Sequence, residues 1–183
     1  MSRSSKPALN PAGFLREYRR VFLDRALPGP ILDLACGGGR NGVFLATEGL
    51  SVVCCDRSAE VLSRTRALAD EHGVTVSSRQ ADLEREGANP LAVDFYGGIL
   101  VFRYLHRPLI PHIRKSLRAG GVLMYETFTV EQPRFGKPKN PDFLLKKGEL
   151  RGWFEDWEVI DFFEGIREAP ERAVAQIVCR KPV

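Results

Sequence analysis

Apolar positions along the chain follow two periods that alternate. Over residues 13–27, Phe14, Tyr18, Val21 and Phe22 recur near helical spacing with bases between them, and Pro28-Gly29-Pro30 closes the pattern. This predicts an amphipathic helix ahead of the main fold. ILDLA (31–35) is then a short apolar run of strand type, and RNGVFLATEG carries Val43, Phe44 and Ala46 into a helix stopped at Gly49. SVVCC (51–55) reads as a second strand. Ser58 is suited to cap a helix that has Glu60 in its first turn and runs to His72, with Gly73 ending it.

The same alternation continues. VTVSSR is a third, thinner strand, GGILVF (97–102) a fourth, PLIPHIRKSLRAGG a helix with a glycine stop, and VLMYETF (122–128) a fifth strand. Strands separated by helices at this pitch imply an α/β fold, a parallel sheet wound by right-handed crossovers. The C-terminal part breaks the rule. DWEVIDFFEG and RAVAQIVCRK are separated only by a short segment around Ala169-Pro170, too little for a helix, so these two strands should pair antiparallel.

Between the fifth strand and this hairpin lies TVEQPRFGKPKNPDFLLKKGELRGWF, rich in proline, lysine and glycine. A segment that follows a parallel strand lies at the carboxyl edge of the sheet, where doubly wound folds place ligands. It reads as a lid over residues 133–145 followed by a short helix near Lys146 to Phe154. Phe135, Phe143, Leu144 and Leu145 are expected to be buried.

Composition narrows the class. The chain has 183 residues, 44% hydrophobic and 27% charged, as expected of one folded domain with a sizeable core. No stretch approaches the roughly 18 apolar residues of a membrane span, and the N-terminus lacks an apolar signal region, so a cytoplasmic protein is expected. Cys36, Cys54, Cys55 and Cys179 show no C-x-x-C spacing and read as buried free thiols, with no metal site. The net charge of +4 is concentrated in Arg3, Lys6, Arg16, Arg19, Arg20 and Arg25, and again between Arg134 and Arg151. Such clusters suit an anionic substrate or nucleic acid, but solvated basic surface is the commoner outcome.

The chemistry centres on ILDLACGGGRNG (31–42). Gly37, Gly39 and Gly42 satisfy the dinucleotide pattern G-x-G-x-x-G, and Asp56 lies where an acid would hold a ribose, so a nicotinamide-type oxidoreductase fits these residues. Asp33 weighs the other way. A carboxylate beneath a diphosphate is unfavourable, whereas it suits a ligand bearing an ammonium and a sulfonium.

DLACGGG (33–39), Asp56 after VVCC, and ADL (81–83) after the third strand resemble the successive motifs of class I S-adenosylmethionine-dependent methyltransferases. Within that family, RNGVFLATEG, YLHRP (104–108) and WFEDWEVIDFFEG are most similar to the tellurite-resistance type of small-molecule methyltransferase. The resemblance implies a Rossmann-like, doubly wound, mostly parallel seven-stranded sheet of order 3-2-1-4-5-7-6 whose last strand is antiparallel. It divides the chain into an N-terminal helical extension (1–30) and a methyltransferase domain (31–183).

It also implies S-adenosyl-L-methionine as cofactor. Asp33, Ala35, Gly37 and Gly39 would surround its methionine half, Asp56 its ribose hydroxyls, and Asp82 and the Leu83 N–H its adenine. Arg57 would cover the base, and Phe102 would complete the set. The family usually has glycine at position 35, where this chain has Ala35.

Catalytic candidates follow the fourth and fifth strands: His106 as a base, Arg103 to steer an anionic acceptor or to pair with Glu126, and Tyr125 beside it. The chain has VFRYLH where enzymes that methylate exocyclic amino groups carry N/D-P-P-Y/F. A small or medium-sized acceptor is therefore expected. The alternatives are an RNA-directed or non-catalytic cofactor-binding module and, less well supported, the oxidoreductase.

Overall fold

The computed structural model describes residues 8–23, 27–85 and 91–183. Seven strands form one sheet in the order β3-β2-β1-β4-β5-β7-β6. They are β1 (Ile31–Leu34), β2 (Val52–Asp56), β3 (Ser77–Gln80), β4 (Tyr96–Phe102), β5 (Leu117–Phe128), β6 (Glu158–Arg167) and β7 (Arg172–Arg180). β7 runs antiparallel to both of its neighbours, while the pairs from β3 to β5 are parallel, as the sequence implies.

β1 is central and buried at every position, because helices cover both faces of a parallel sheet; this is why its sequence is an unbroken apolar run with one acid. Along it, side chains alternate between two cores. Leu32 and Leu34 join Ile99, Val101, Ile113 and Phe154 on one face. Ile31 joins Phe14, Phe22, Val43 and Leu62 on the other. The second face is covered by α1 (Gly13–Tyr18), α2 (Arg20–Leu23), α3 (Arg40–Thr47) and α4 (Ala59–His72); the first is covered by α5 (Ile110–Ser116) and α6 (Glu149–Gly152).

Local signals explain several boundaries. Ser58 caps α4 by accepting the Val61 N–H at 3.2 Å, and Gly73, at φ +70°, closes it by donating to the Ala69 and Asp70 carbonyls. The predicted N-terminal helix is present among the described residues. It breaks at Arg19 into α1 and α2, and its expected last turn, like the basic residues Arg3, Lys6 and Arg25, lies outside the described residues.

The helix expected over PLIPHIRKSLRAGG ends at Ser116, and residues 117–121 begin β5 instead. Leu117 pairs with Tyr96 in the sheet, and Lys181 Nζ donates to the carbonyls of Arg114 and Leu117, taking up acceptors that a continuing helix would have used. Gly120 (φ +72°) is thus a bend within the entry to β5 rather than a helix stop.

Two interactions in this frame have measurable consequences. A Cβ on Gly97 would lie 2.6 and 2.7 Å from the backbone O and N of Gly29, atoms that cannot swing aside. Gly97→Ala should cost about 1–3 kcal/mol in urea unfolding. Gly38→Ala, where a Cβ meets nothing within 4 Å, should stay within about 0.5 kcal/mol.

The second concerns Asp33, only 2% exposed, whose Oδ2 accepts the Gly42 N–H at 2.8 Å. Burial pushes its carboxyl from 3.8 up to about 7, against the opposing pull of the Gly42 bond and the Arg40 charge. Folded protein therefore holds this proton after the unfolded chain has released it. Asp33 destabilises progressively as pH rises from 3.8 to about 7, with no further loss above. Asp33→Asn keeps an acceptor for Gly42 and removes the titration. Its stability relative to wild type should rise across that window by an amount on the order of a few kcal/mol, read as paired urea midpoints at pH 4 and pH 8.

Candidate functional site

The site is assembled at the carboxyl edge of the sheet. After β1 the chain turns sharply through Ala35 (φ +52°), Gly37 (φ +52°) and Gly39 (φ +69°) into α3. Ala35 thus adopts a left-handed conformation that favours glycine, which accounts for the residue expected there. The loop is tied down by Cys36 N–H to Cys55 O (2.9 Å), Gly39 N–H to Cys36 O (3.0 Å) and Gly37 N–H to Asp56 Oδ2 (3.2 Å).

Its glycines have two different uses. A Cβ at Gly39 would strike Thr65 Cγ2 at 2.2 Å, and one at Gly42 would strike Cys54 Sγ at 2.7 Å, so these two permit close packing of helices and strands. At Gly37 and Gly38 a Cβ would enter open space. The backbone there is bare and accessible.

Beside the loop lies a cavity of about 340 Å³ lined by Ala35, Asp56, Arg57, Ala81, Asp82, Leu83, Glu84, Tyr104 and Phe143. Three carboxylates face one guanidinium, so the lining is net negative. The acids already hold local structure: Asp56 Oδ1 accepts the Ser58 N–H at 3.0 Å, and Asp82 Oδ1 accepts the Glu84 N–H at 3.0 Å in a turn. Tyr104 donates its hydroxyl to Glu84 at 3.4 Å, and burial, then the Glu84 and Asp82 charges, raise its pKa.

Glu84, Tyr104 and Phe143 also line a second, more apolar cavity of about 480 Å³, with Arg103, Leu105, Thr127, Phe128, Lys137 and Pro138. A smaller space of about 190 Å³ brings in His106, Arg107, Pro108 and Asp142 and again shares Glu84 and Phe143. The three form one cleft.

Of the sequence-predicted residues, Ala35, Asp56, Arg57, Asp82 and Leu83 line the first cavity, Arg103 the second and His106 the third. Gly37 and Gly39 lie in the adjoining turn. Asp33 is turned inward beneath α3.

Three further candidates are likewise not among the residues lining the cleft. Phe102 packs edge-to-face on Phe14, 6.5 Å between ring centroids, under the N-terminal helix. Tyr125 is 1% exposed and donates its hydroxyl to the Tyr104 carbonyl at 3.0 Å; burial raises its pKa. Glu126 is buried and accepts a short hydrogen bond from Gln176 Nε2, and Gln176 Oε1 in turn accepts from Arg167. Arg103 and Glu126 form no ion pair among the described residues. Their link is the Arg103 N–H to the Glu126 carbonyl at 2.8 Å.

Sequence reasoning missed Glu84 and Arg107 and misplaced Phe143. Leu144 and Leu145 are buried as expected, but Phe143 is 50% exposed over the cleft and Phe135 is half-buried. Cys36, in the glycine turn, is likewise half-buried, while the other three thiols are buried; all four are free. Glu84 directly follows the ADL motif, and that adjacency is the signal that points to it. Among the described residues no helix is long and apolar enough to cross a membrane.

Comparison with known proteins bears on this geometry. A protein of Haemophilus influenzae named "Probable S-adenosyl-L-methionine-dependent methyltransferase TehB" is 25% identical over 147 residues, which are 77% of this chain and 50% of that protein. The tRNA 5-carboxymethoxyuridine methyltransferase of Escherichia coli is 23% identical over 170 residues, covering 75% of this chain and 65% of that protein. This chain thus spans about half the length of the TehB relative it matches. The crystal structure of TehB from Haemophilus influenzae has the same fold, with a TM-score of 0.70 at 21% identity over 92% of this chain and 65% of that one. The profile of the family described as tellurite resistance protein TehB matches residues 23–173, and the chain belongs to that family.

Proposed function

We propose that the chain is an S-adenosyl-L-methionine-dependent methyltransferase acting on a small or medium-sized acceptor. The observation that carries this reading is the charge of the first cavity, where Asp56, Asp82 and Glu84 face Arg57 alone beside a bare glycine turn. A negative lining suits a cationic ligand whose ribose hydroxyls and adenine amino group can donate to carboxylates, and it repels the diphosphate of a dinucleotide. The residues present therefore fit the cofactor named in the Haemophilus influenzae relative.

In this reading Asp56 accepts hydrogen bonds from the ribose hydroxyls, and Asp82 with the Leu83 N–H meets the adenine edge. Arg57 lays its stem or guanidinium plane against the base. The Gly37 and Gly39 backbone borders the methionine half, and the buried Asp33 holds that turn from beneath through the Gly42 N–H. The cofactor supplies a methyl group on a sulfonium whose thioether is an excellent leaving group.

Catalysis then rests chiefly on orientation and exclusion of water, with the acceptor in the second cavity near Arg103 and Phe128. His106, at the adjoining space, takes a proton where the acceptor must lose one. Tyr125 and Glu126 act by positioning, since the Tyr125 hydroxyl holds the loop after β4 to β5 and the Glu126 carboxylate ties β5 to Gln176 of β7. A cytoplasmic location accords with four free thiols.

Calorimetry with S-adenosylhomocysteine is expected to give micromolar binding. Asp56→Ala should weaken it by roughly 10- to 100-fold, the loss of hydrogen bonds to a charged group. A nicotinamide dinucleotide that raises the melting temperature where S-adenosylhomocysteine does not would replace this reading with the oxidoreductase. The tRNA-modifying relative and the basic clusters make RNA the second acceptor class to test. Binding to RNA that collapses steeply with added salt, together with methyl transfer to RNA, would move the acceptor from small molecule to nucleic acid.

A further inference from the structure

Phe143 is half exposed, yet it borders all three parts of the cleft, and its backbone is held more firmly than its surface position requires. The residues on either side are fixed by one side chain. Arg107 Nη1 donates to the Asp142 carbonyl at 3.0 Å and Nη2 to the Leu144 carbonyl at 2.9 Å, so a single guanidinium grips the carbonyl before Phe143 and the one after it. The other edge of that guanidinium meets Glu149 through Nε at 2.7 Å and Nη2 at 3.0 Å, and Glu149 also accepts the Lys146 N–H at 2.8 Å.

Behind the aromatic ring, Leu144 and Leu145 are buried. Leu145 is stitched to the end of β5 by its N–H to Phe128 O and by Val130 N–H to its own carbonyl, both 2.9 Å. In front, Asn140 caps the turn by accepting the Asp142 N–H at 3.0 Å. The Phe143 N–H donates to the Asn140 carbonyl at 3.1 Å and the carbonyls on either side of it are held by Arg107, whereas the residue itself is 50% exposed at the cleft. An aromatic ring fixed at low conformational cost and left open on one side is the arrangement expected of a ligand-covering wall.

We propose that Arg107 is a positioning residue that holds Phe143 as an aromatic wall over the cofactor cavity, at its junction with the second cavity. The proposal rests on the S-adenosylmethionine reading above. Arg107 lines only the smallest of the three spaces, not the first or second cavity, and acts on those through the lid. Lysine could not replace it, because the planar fork is what reaches two carbonyls and a carboxylate together.

The test is a double-mutant cycle read as S-adenosylhomocysteine affinity by calorimetry on the full chain, with melting curves recorded for each variant. Phe143→Ala should weaken binding by about tenfold, the loss of one large apolar contact. Arg107→Ala should weaken it by several-fold with faster dissociation. The double variant should bind within about twofold of Phe143→Ala alone, because the arginine has no wall left to position.

Additive losses, or a Phe143→Ala protein that binds like wild type, overturn the proposal. Should Arg107→Ala fail to fold, Glu149→Gln loosens the same grip while keeping a hydrogen-bonding partner. Its milder weakening should vanish in the Phe143→Ala background, and persistence of the effect there overturns the proposal equally. Asp56→Ala separates the two levels. Binding that is lost in Asp56→Ala but indifferent to Phe143 refutes the wall and leaves the cofactor reading standing. A wild-type protein that binds no S-adenosylhomocysteine refutes both.

Discussion

The Asp33 carboxylate, buried between β1 and α3 and accepting the Gly42 N–H, is the contact on which the geometry of the site depends. It locks the first turn of the helix onto the central strand, and the close approach is possible only because residue 42 has no side chain. With the helix seated there, the chain between must turn within a few residues. It does so through left-handed backbone at Ala35, Gly37 and Gly39. That compressed turn leaves bare backbone at Gly37 and Gly38 and points it along the carboxyl edge of the sheet. A buried acid opposes folding at neutral pH, and the surrounding core of apolar strands and helices offsets it.

The remainder of the site is built outward from that edge in layers. Asp56, at the end of β2, ties the glycine turn to the start of α4 through Gly37 and Ser58, so one carboxylate coordinates two loops. Tyr125 reaches from β5 to the Tyr104 carbonyl and fixes the loop after β4, which carries Arg103, Tyr104, Leu105 and His106 to the cleft. Arg107, one residue further, then gathers the lid. Each layer is positioned by polar side chains of its neighbours, and Asp56, Asp82 and Tyr104 hold such bonds while they line the cleft.

Much of this was legible in the chain. Helix caps at Ser58 and Gly73, the apolar strands, the hairpin around Ala169-Pro170 and the glycine turn are local, since their signals lie within a few residues of the structure they specify. Asp56, Arg57 and Asp82 follow strands whose positions were readable, so their place at the edge of the sheet was readable too. The errors share a cause. At residues 117–121 a helical pattern gave way to sheet pairing with β4, a partner about twenty residues away. Glu126 finds Gln176 on a strand fifty positions later, and Phe143 stays exposed because Leu144 and Leu145 occupy the buried positions beneath the lid.

The sequence by itself therefore determined the order of the elements and most of their types, the strand whose end carries the glycine turn, and the acids Asp56 at the end of the second strand and Asp82 just after the third, because periodicity and turn chemistry act over short distances. Only the tertiary structure decided which of those side chains face the cleft and which are spent holding it together. A polar group satisfies its hydrogen bonds with whatever the fold brings within about 3 Å, and partners such as Arg107 with Leu144 or Glu126 with Gln176 are set by packing across the molecule.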